Sequence, residues 1–179
     1  MALIILGHPN IEQSVANKTI IENVQTNMPD IEIRNIHQLY PDYQINVEEE
    51  QAALLRHNLI VLQYPMYWFN MPAILKIWFD EVLTYQFAYG SKGDKLKNKK
   101  LLPSLTIGAN QEVYQQDGHN LIDDFLQPVK ISTIYTQMQY LSPIFIYGVS
   151  PVIESSHDKI KALALKQSQR LQEIIKQHS

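Results

Sequence analysis

The sequence predicts an α/β protein with three layers, in which a doubly wound, five-stranded parallel sheet lies between two layers of helices. Short apolar runs alternate with longer segments whose apolar residues recur at helical spacing. The apolar runs contain few polar residues, which is typical of strands buried on both faces of a parallel sheet. The 179 residues are 45% hydrophobic, enough for one domain, residues 1–179, with a substantial core.

The first strand is predicted over Ala2–Leu6, where an apolar run ends at a Gly-His-Pro turn. Ser14 has the residue type of a helix N-cap, and apolar residues follow it at helical spacing. That helix ends at Pro29. The second strand carries three apolar residues, which are Ile31, Ile33 and Ile36.

A helix over Val47–Arg56 is predicted to turn Ala52 and Leu55 towards the core and the acidic residues 48–50 towards solvent. Residues 59–62 form the third strand. Asn70 is predicted to cap the following helix, with Pro72 in its first turn. The apolar stripe of that helix consists of Met71, Ile74, Leu75, Trp78 and Val82.

The second half of the chain continues the alternation, with strands over residues 99–107 and 141–147. Helices are predicted over residues 121–135 and 156–176. Five strands that alternate with five helices predict right-handed crossovers. Strand order 2-1-3-4-5 is the first choice, although the number of strands does not by itself fix the order.

Composition excludes several classes of function. A formal net charge of -3 gives no electrostatic case for nucleic-acid binding, and the absence of cysteine excludes disulfides and thiolate chemistry. The histidines do not have metal-ligand spacing, so no metal is expected. The first residues lack the basic segment of a signal peptide, and no apolar run is long enough to span a bilayer. A cytoplasmic protein is therefore expected.

Ligands of such sheets bind where the strands end, so the loops there indicate function. The chain has no Gly-x-Gly-x-x-Gly motif after the first strand, which argues against a dinucleotide-binding domain. It also has no Walker-type glycine-lysine loop, which argues against nucleoside triphosphate hydrolysis. Gly7, His8 and Pro9 follow the first strand, and the helix then begins with Ser14, Val15, Ala16 and Asn17. Free N–H groups at a helix start bind phosphate. The alternative is that Ser14 only caps the helix and that His8 is a turn residue.

The loop after the third strand is rich in aromatic residues. Residues 63–72 run from the end of an apolar strand directly into an amphipathic helix, and the loop includes Trp68 and Phe69. A flat, apolar-walled pocket at the end of a strand is suited to a planar aromatic cofactor. The structural alternative is that these aromatic side chains belong to the core.

Several motifs, in order along almost the whole chain, resemble the flavodoxin-like NAD(P)H:quinone oxidoreductases (the DT-diaphorase-like family). The short bacterial members include ancillary flavoproteins of glutathione-gated potassium efflux antiporters. The motifs are Gly7-His8-Pro9, Leu39-Tyr40-Pro41-Asp42, Pro65-Met66-Tyr67-Trp68-Phe69, Pro72-Ala73-Ile74-Leu75-Lys76, Phe87-Ala88-Tyr89-Gly90 and Leu141-Ser142-Pro143. The resemblance implies a flavodoxin-like fold and a bound flavin.

The resemblance implies a role for each loop. The start of the first helix and His8 would bind the flavin phosphate, and residues 65–69 would bind the ribityl chain and the ring. Residues 106–109 resemble a Thr-Thr-Gly-Gly loop that approaches the flavin, although this chain has Ile107 and Ala109 there. The implied cofactor-binding residues are His8, Ser14, Val15, Ala16, Asn17, Pro65, Met66, Tyr67, Trp68, Phe69, Thr106, Ile107, Gly108 and Ala109.

The resemblance also implies catalytic and substrate-binding residues. Tyr114 and His119 correspond to the pair that assists hydride transfer, where a hydroxyl backed by an imidazole can donate to developing negative charge. Phe87, Tyr89 and Gly90 would form a wall of the substrate pocket, facing a second subunit of a homodimer.

The expected function is an FMN-dependent NAD(P)H:quinone oxidoreductase with two-electron, ping-pong hydride transfer. FMN is expected rather than FAD, because the chain lacks the long carboxy-terminal extension of FAD-binding relatives. NADH and NADPH are not distinguished. One alternative is a regulatory subunit of a potassium efflux antiporter, at the inner face of the membrane. The other is a flavodoxin, although such electron carriers are usually more acidic.

Overall fold

A parallel sheet separates two layers of helices in the computed structural model, which describes residues 1–116, 118–154 and 156–178. The strands are β1 (Ala2–Leu6), β2 (Glu32–Asn35), β3 (Leu59–Pro65), β4 (Lys100–Thr106), β5 (Gln115–Gln116), β6 (His119–Asn120), β7 (Gln139–Tyr140) and β8 (Ile144–Ile146). The helices are α1 (Val15–Asn27), α2 (Ile36–Leu39), α3 (Val47–Arg56), α4 (Ala73–Val82), α5 (Leu121–Phe125), α6 (Gln127–Tyr135) and α7 (His157–His178).

The order of the strands in the main sheet is β2-β1-β3-β4, with β7 and β8 beyond β4, and all neighbours are parallel. β7 and β8 pair with successive parts of β4, so together they form one interrupted fifth strand. The predicted order 2-1-3-4-5 is therefore confirmed. Because Leu6 lies opposite Gln63 and Pro65 opposite Thr106, the strands end close together along one edge.

Two predicted elements differ from the observed ones, each beside a proline. The predicted helix over residues 121–135 is two helices, α5 and α6, with Pro128 in the first turn of α6. Proline has no N–H to continue the hydrogen bonds of α5, but it fits a first turn. The fifth strand was predicted over residues 141–147, but only β8 lies within that range and β7 precedes it. Pro143, between the two, cannot donate to the sheet.

The second strand ends one residue earlier than predicted, because Ile36 begins α2 instead of extending β2. The side chain of Asn35 accepts a hydrogen bond from the backbone N–H of Gln38 and caps this short helix. Ile36 is nevertheless buried. The sequence pattern identified an inward-facing residue but assigned it to the wrong element.

The buried face of α3 differs from the predicted one. Ala53 and Leu54 are buried, whereas Ala52 and Leu55 are exposed. Glu50, predicted to face solvent, is 0% exposed. Its carboxylate accepts hydrogen bonds from three side chains, which are Arg34 (2.7 Å), Tyr40 (2.7 Å) and Trp78 (2.8 Å). Burial is possible because every partner is a donor.

The core lies on both sides of the sheet. α1 and α7 cover one face, and their buried residues pack on Ile4 and Leu6 of β1. The buried residues of α2 to α6 pack on the opposite face, against Leu3 and Ile5. In the described part of the chain no helix is both long and apolar enough to cross a membrane. The loops at the carboxyl ends of the strands remain free to form a site.

Candidate active site

A cavity of about 350 Å³ lies at the carboxyl ends of β1, β3 and β4. Its size is within the range of small-molecule sites. Its lining comes from the start of α1 and from the ends of, or the loops that follow, four strands, which are β1, β3, β4 and β8. The described lining residues are His8, Asn10, Gln13, Ser14, Val15, Ala16, Asn17, Pro65, Met66, Tyr67, Thr106, Gly108, Val149, Ser150 and Pro151.

Ser14 is the N-cap of α1, as predicted, and its Oγ accepts a hydrogen bond from the backbone N–H of Asn17 at 3.1 Å. The backbone N–H groups of Val15 and Ala16 stand in the first turn, where a helix provides no internal acceptor. Together with the partial positive charge of the helix start, these groups favour an anion in the cavity.

His8 is buried in the cavity wall. Its Nδ1 accepts a hydrogen bond from the backbone N–H of Asn10 at 3.0 Å. Burial, with a smaller contribution from His37, lowers the pKa of His8 to about 4. The imidazole is therefore neutral at physiological pH, and its remaining proton lies on Nε2. His8 can thus act as a neutral hydrogen-bond donor.

The loops after β4 and β8 form one side of the cavity. Thr106 ends β4, and a Cβ atom at Gly108 would lie only 3.2 Å from the Cβ of Ser150. A side chain at this position would crowd Ser150, so glycine favours this close approach. Val149, Ser150 and Pro151 also line the cavity, and they are not among the residues predicted from the sequence. Their signal was available, because they follow the fifth strand just as the other loops follow theirs.

The aromatic loop after β3 is a tight turn. Tyr67 and Asn70 exchange backbone hydrogen bonds of 2.9 and 3.0 Å, while Trp68 and Phe69 have φ values of 46° and 63°. Asn70 was predicted to be the N-cap of α4, but the prediction is wrong, because Pro72 holds that position. Oδ1 of Asn70 accepts from the backbone N–H of Met71, and Pro72 precedes the first helical residue, Ala73.

Four of the residues predicted to bind the cofactor do not line the cavity as the structure describes it. Ile107 is buried, and its N–H donates to the carbonyl of Ile146 in the sheet at 2.9 Å. Ala109 packs against the core. Trp68 is 92% exposed, and Phe69 packs against the rings of Tyr114 and Phe125.

Of the predicted catalytic residues, Tyr114 immediately precedes β5, and His119 begins β6, which pairs with β5. Tyr114 is buried, and the centroid of its ring lies 5.7 Å from that of Tyr147. Burial and the neighbouring Tyr147 raise the pKa of Tyr114, so its hydroxyl remains protonated at neutral pH. His119 is exposed, and its Nε2 lies 2.8 Å from Oδ2 of Asp124. Among the described residues no hydrogen bond joins Tyr114 to His119.

The predicted substrate wall is a separate aromatic group. Phe87 is buried in the core. The ring of Tyr89 contacts those of Tyr85 and Tyr135, each with a centroid distance of 5.7 Å. Gly90 has a φ of 95°, and a Cβ atom there would lie 2.6 Å from the Tyr85 ring. Within the described residues of one chain, this wall does not reach the cavity.

The donors and surfaces of the cavity fit a phosphorylated, planar cofactor such as FMN. At one end, the start of α1 offers backbone N–H groups, and Ser14 adds a hydroxyl. At the other, Pro65, Met66 and Tyr67 provide an apolar edge, and Gly108 leaves space that a larger side chain would fill. Polar groups that fix orientation beside apolar walls are typical of cofactor sites.

Comparison with known proteins identifies relatives with the same fold. A family model described as the flavodoxin-like fold matches residues 1–171. The uncharacterized NAD(P)H oxidoreductase YrkL of Bacillus subtilis is 41% identical over 148 residues, which cover 82% of this chain and 84% of YrkL. The glutathione-regulated potassium-efflux system ancillary protein KefF of Salmonella typhimurium is 38% identical over 171 residues, covering 96% of this chain and 95% of KefF.

Two solved structures are also similar. The general stress protein 14 of Treponema denticola, in complex with FMN, superposes with a TM-score of 0.85 at 33% identity, covering 96% of this chain and 97% of that chain. An NADPH-quinone reductase from P. pentosaceus gives a TM-score of 0.76 at 26% identity, covering 95% of this chain and 96% of that chain.

Proposed function

Because the chain belongs to the flavodoxin-like family of NAD(P)H oxidoreductases, we propose that it is an FMN-dependent NAD(P)H:quinone oxidoreductase. The observation that carries this proposal is the cavity at the strand ends, with phosphate donors at α1 and an apolar edge after β3. The bound FMN of the Treponema denticola structure supports the choice of cofactor.

Each part of the cavity has a task in this proposal. Ser14 and the N–H groups of Val15 and Ala16 hold the phosphate, and Met66 and Gly108 position the ring. FMN, when bound, supplies a ring that accepts hydride from NAD(P)H and returns two electrons to a quinone. NAD(P)H and the quinone use the same open face in turn, which makes the kinetics ping-pong.

Tyr114 and His119 are the proposed catalytic pair. The raised pKa of Tyr114 keeps a proton on its hydroxyl, which can be donated to negative charge on a bound group. The imidazole of His119, oriented by Asp124, can share that proton. We infer that the chain acts as a homodimer, in which the Phe87–Gly90 wall of one subunit completes the site of the other.

The proposal is tested by titrating the purified protein with FMN and then adding NADH or NADPH without oxygen, followed by 1,4-benzoquinone. We expect one FMN per chain, bleaching by a nicotinamide and full reoxidation by the quinone. Replacing Tyr114 with Phe should slow bleaching about 10- to 100-fold without changing FMN affinity. Tyr43→Phe, at an exposed tyrosine away from the cavity, is the control. Protein that binds no FMN would refute the assignment.

A second candidate function is that of an ancillary subunit of a potassium efflux system, which is favoured by the similarity to KefF over 96% of the chain. In that case FMN still binds, and the protein also associates with a membrane antiporter. Co-purification with an antiporter of the same cell, retained after a salt wash, would support this role. A chain that reduces quinones but never associates with membranes would contradict it.

A further inference from the structure

A chain of hydrogen-bonded side chains runs through the sheet from α7 to the cavity. Nε2 of Gln167 lies 3.1 Å from Oγ of Ser104, and that hydroxyl lies 2.6 Å from Oε1 of Gln63. Nε2 of Gln63 lies 2.8 Å from Oδ1 of Asn17, and Nδ2 of Asn17 lies 2.8 Å from Oγ1 of Thr106. All five residues are buried, so each of these bonds is shielded from water.

The direction of the bonds is fixed at the α7 end by the backbone. The amide nitrogen of Gln167 also lies 3.3 Å from the carbonyl oxygen of Leu105 and 3.2 Å from that of Ile144. Carbonyl oxygens only accept hydrogen bonds, so the atom facing them is the nitrogen. Ser104 accepts from this nitrogen, and its own hydrogen is donated to the amide oxygen of Gln63 at 2.6 Å.

The orientation of each amide group sets the orientation of the next. Since the oxygen of Gln63 faces Ser104, its nitrogen faces Asn17 and donates to Oδ1. The nitrogen of Asn17 is thereby turned towards the cavity, where it donates to Thr106 at 2.8 Å and to Ser14 at 3.2 Å. A reversal at any one position would set two donors or two acceptors against each other.

The two hydroxyls at the end of this chain are consequently acceptors within the protein. Ser14 Oγ accepts from both the side chain and the backbone N–H of Asn17, and Thr106 Oγ1 accepts from the Asn17 side chain. Neither hydroxyl donates to another of the residues that the structure describes. Both line the cavity, so both hydrogens can be donated to a ligand.

We propose that Gln63 and Gln167 are positioning residues that make Ser14 and Thr106 hydrogen-bond donors to FMN. The proposal rests on the function proposed above and adds how the site selects its ligand. A phosphate oxygen and a carbonyl or hydroxyl oxygen are acceptors, and both then meet a donor. If the Asn17 amide were reversed, the two hydroxyls would donate inward and present only lone pairs to an anionic group.

The test measures binding of FMN and of riboflavin, which lacks the phosphate, by quenching of flavin fluorescence. Gln63→Met removes the donor to Asn17 while keeping the length of the side chain. We expect FMN affinity to fall about 10- to 100-fold, as for the loss of one or two hydrogen bonds to a charged group. Riboflavin affinity should fall less, because the bond from Ser14 to the phosphate is absent.

In Gln63→Glu, the FMN affinity should depend on pH in a way that a purely structural role of Gln63 would not produce. A protonated glutamic acid can still donate to Asn17, but the carboxylate cannot. Relative to the wild-type protein at each pH, the loss of FMN affinity should therefore grow as pH rises and disappear as pH falls. This variant also keeps the test open if Gln63→Met fails to fold.

Gln172→Glu is the matched control. Gln172 is another buried amide, and its Nε2 donates to Asn23 and Ser168 at 2.9 and 3.1 Å, away from the cavity. We expect its FMN affinity and pH profile to match the wild type. Equal binding by wild-type, Gln63→Met and Gln63→Glu proteins, or an equal loss in Gln172→Glu, would overturn the inference. Failure of the wild-type protein to bind FMN would instead refute the proposed function.

Discussion

At the scale of single residues, His8 shows how burial determines the protonation state of a side chain. Its side chain is 7% exposed, and its Nδ1 is occupied by the backbone N–H of Asn10. Protonation would require the loss of that hydrogen bond and would place a charge out of contact with water. Its pKa of about 4 lies below the ordinary value of 6.5 for this reason.

This depressed pKa predicts a pH dependence of stability. Below pH 6.5 the unfolded chain takes up a proton at His8 before the folded protein does. The contribution of the neutral His8 to the free energy of unfolding is therefore complete above pH 6.5. It is lost as pH falls from 6.5 towards 4, by up to about 3 kcal/mol. In His8→Gln this part of the loss should be absent. Urea unfolding of the FMN-free protein at pH 7 and 4.5 measures it. His157→Gln, at an exposed histidine, is the control, and parallel losses in all three proteins would contradict the prediction.

Ser14 and Glu50 differ in how far their environments could be predicted from the sequence. Ser14 was assigned as an N-cap from its type and position alone, because capping is local. The environment of Glu50 could not be predicted in this way, since its three partners come from a strand and two other segments distant in the chain. A run of acidic residues is usually solvated, and only the tertiary fold supplies the donors that make an exception.

At the scale of elements, the turn between Tyr67 and Asn70 is strained. Positive φ at both central residues is the geometry of a type I′ turn, which favours Asn and Gly. Trp68 and Phe69 are poor residues for it. Strain of this kind persists where function requires it. We therefore predict that these rings act at the face of the proposed cofactor site or against a second subunit.

The turn gives a prediction in which stability and activity change in opposite directions. Trp68→Asn should stabilise the FMN-free protein by about 0.5–1 kcal/mol, because asparagine tolerates positive φ and the exposed indole loses little packing. Quinone turnover should nevertheless decrease. Thermal unfolding and steady-state kinetics check the two halves. Val152→Asn changes a side chain that is 91% exposed and lies outside such a turn, and it should alter neither. A destabilised Trp68→Asn protein would disprove the strain argument.

The predicted bounds of β1 and α3 match the observed ones, although the buried face of α3 was predicted wrongly. Boundaries failed where a proline interrupts a periodic pattern. Pro128 and Pro143 leave the apolar spacing intact while removing an N–H, so the pattern continues although the element does not. The residues predicted to bind the cofactor come from the loops after the first, third and fourth strands, so the loop at residues 149–151, after the fifth, was missed.

At the scale of the whole molecule, large apolar side chains remain exposed on the side of the sheet that α4 and α6 cover. They include Trp68 beside the cavity, Tyr85, and Ile131, Ile134 and Tyr135 on α6. Ile131, Ile134 and Tyr135 lie within one turn or so of each other on α6, and exposed apolar groups that cluster in this way mark protein interfaces. The predicted substrate wall around Tyr89 contacts Tyr135 and so adjoins this surface.

We therefore predict that the protein elutes at twice the mass of one chain, and that Ile134→Glu shifts it towards monomer. Burial of a carboxylate in an apolar interface is costly unless it is paired. The monomeric variant should still bind FMN, since the cavity belongs to one chain, but its quinone turnover should decrease. Light scattering with activity measured across dilution tests this. Leu165→Glu, on the opposite layer of helices, is the control. A wild-type monomer that retains full activity would exclude the shared site.

The bonds that join α7 to the start of the molecule bear on how a newly made chain matures. Gln167 contributes to the cavity through Ser104, and Ser168 and Gln172 bond to Ile20 and Asn23 of α1. Most of the polypeptide must leave the ribosome before those bonds can form. If the chain binds FMN as proposed, flavin loading is therefore expected late in biogenesis, and a truncated translation product that contains α1 but lacks α7 is expected to retain FMN poorly.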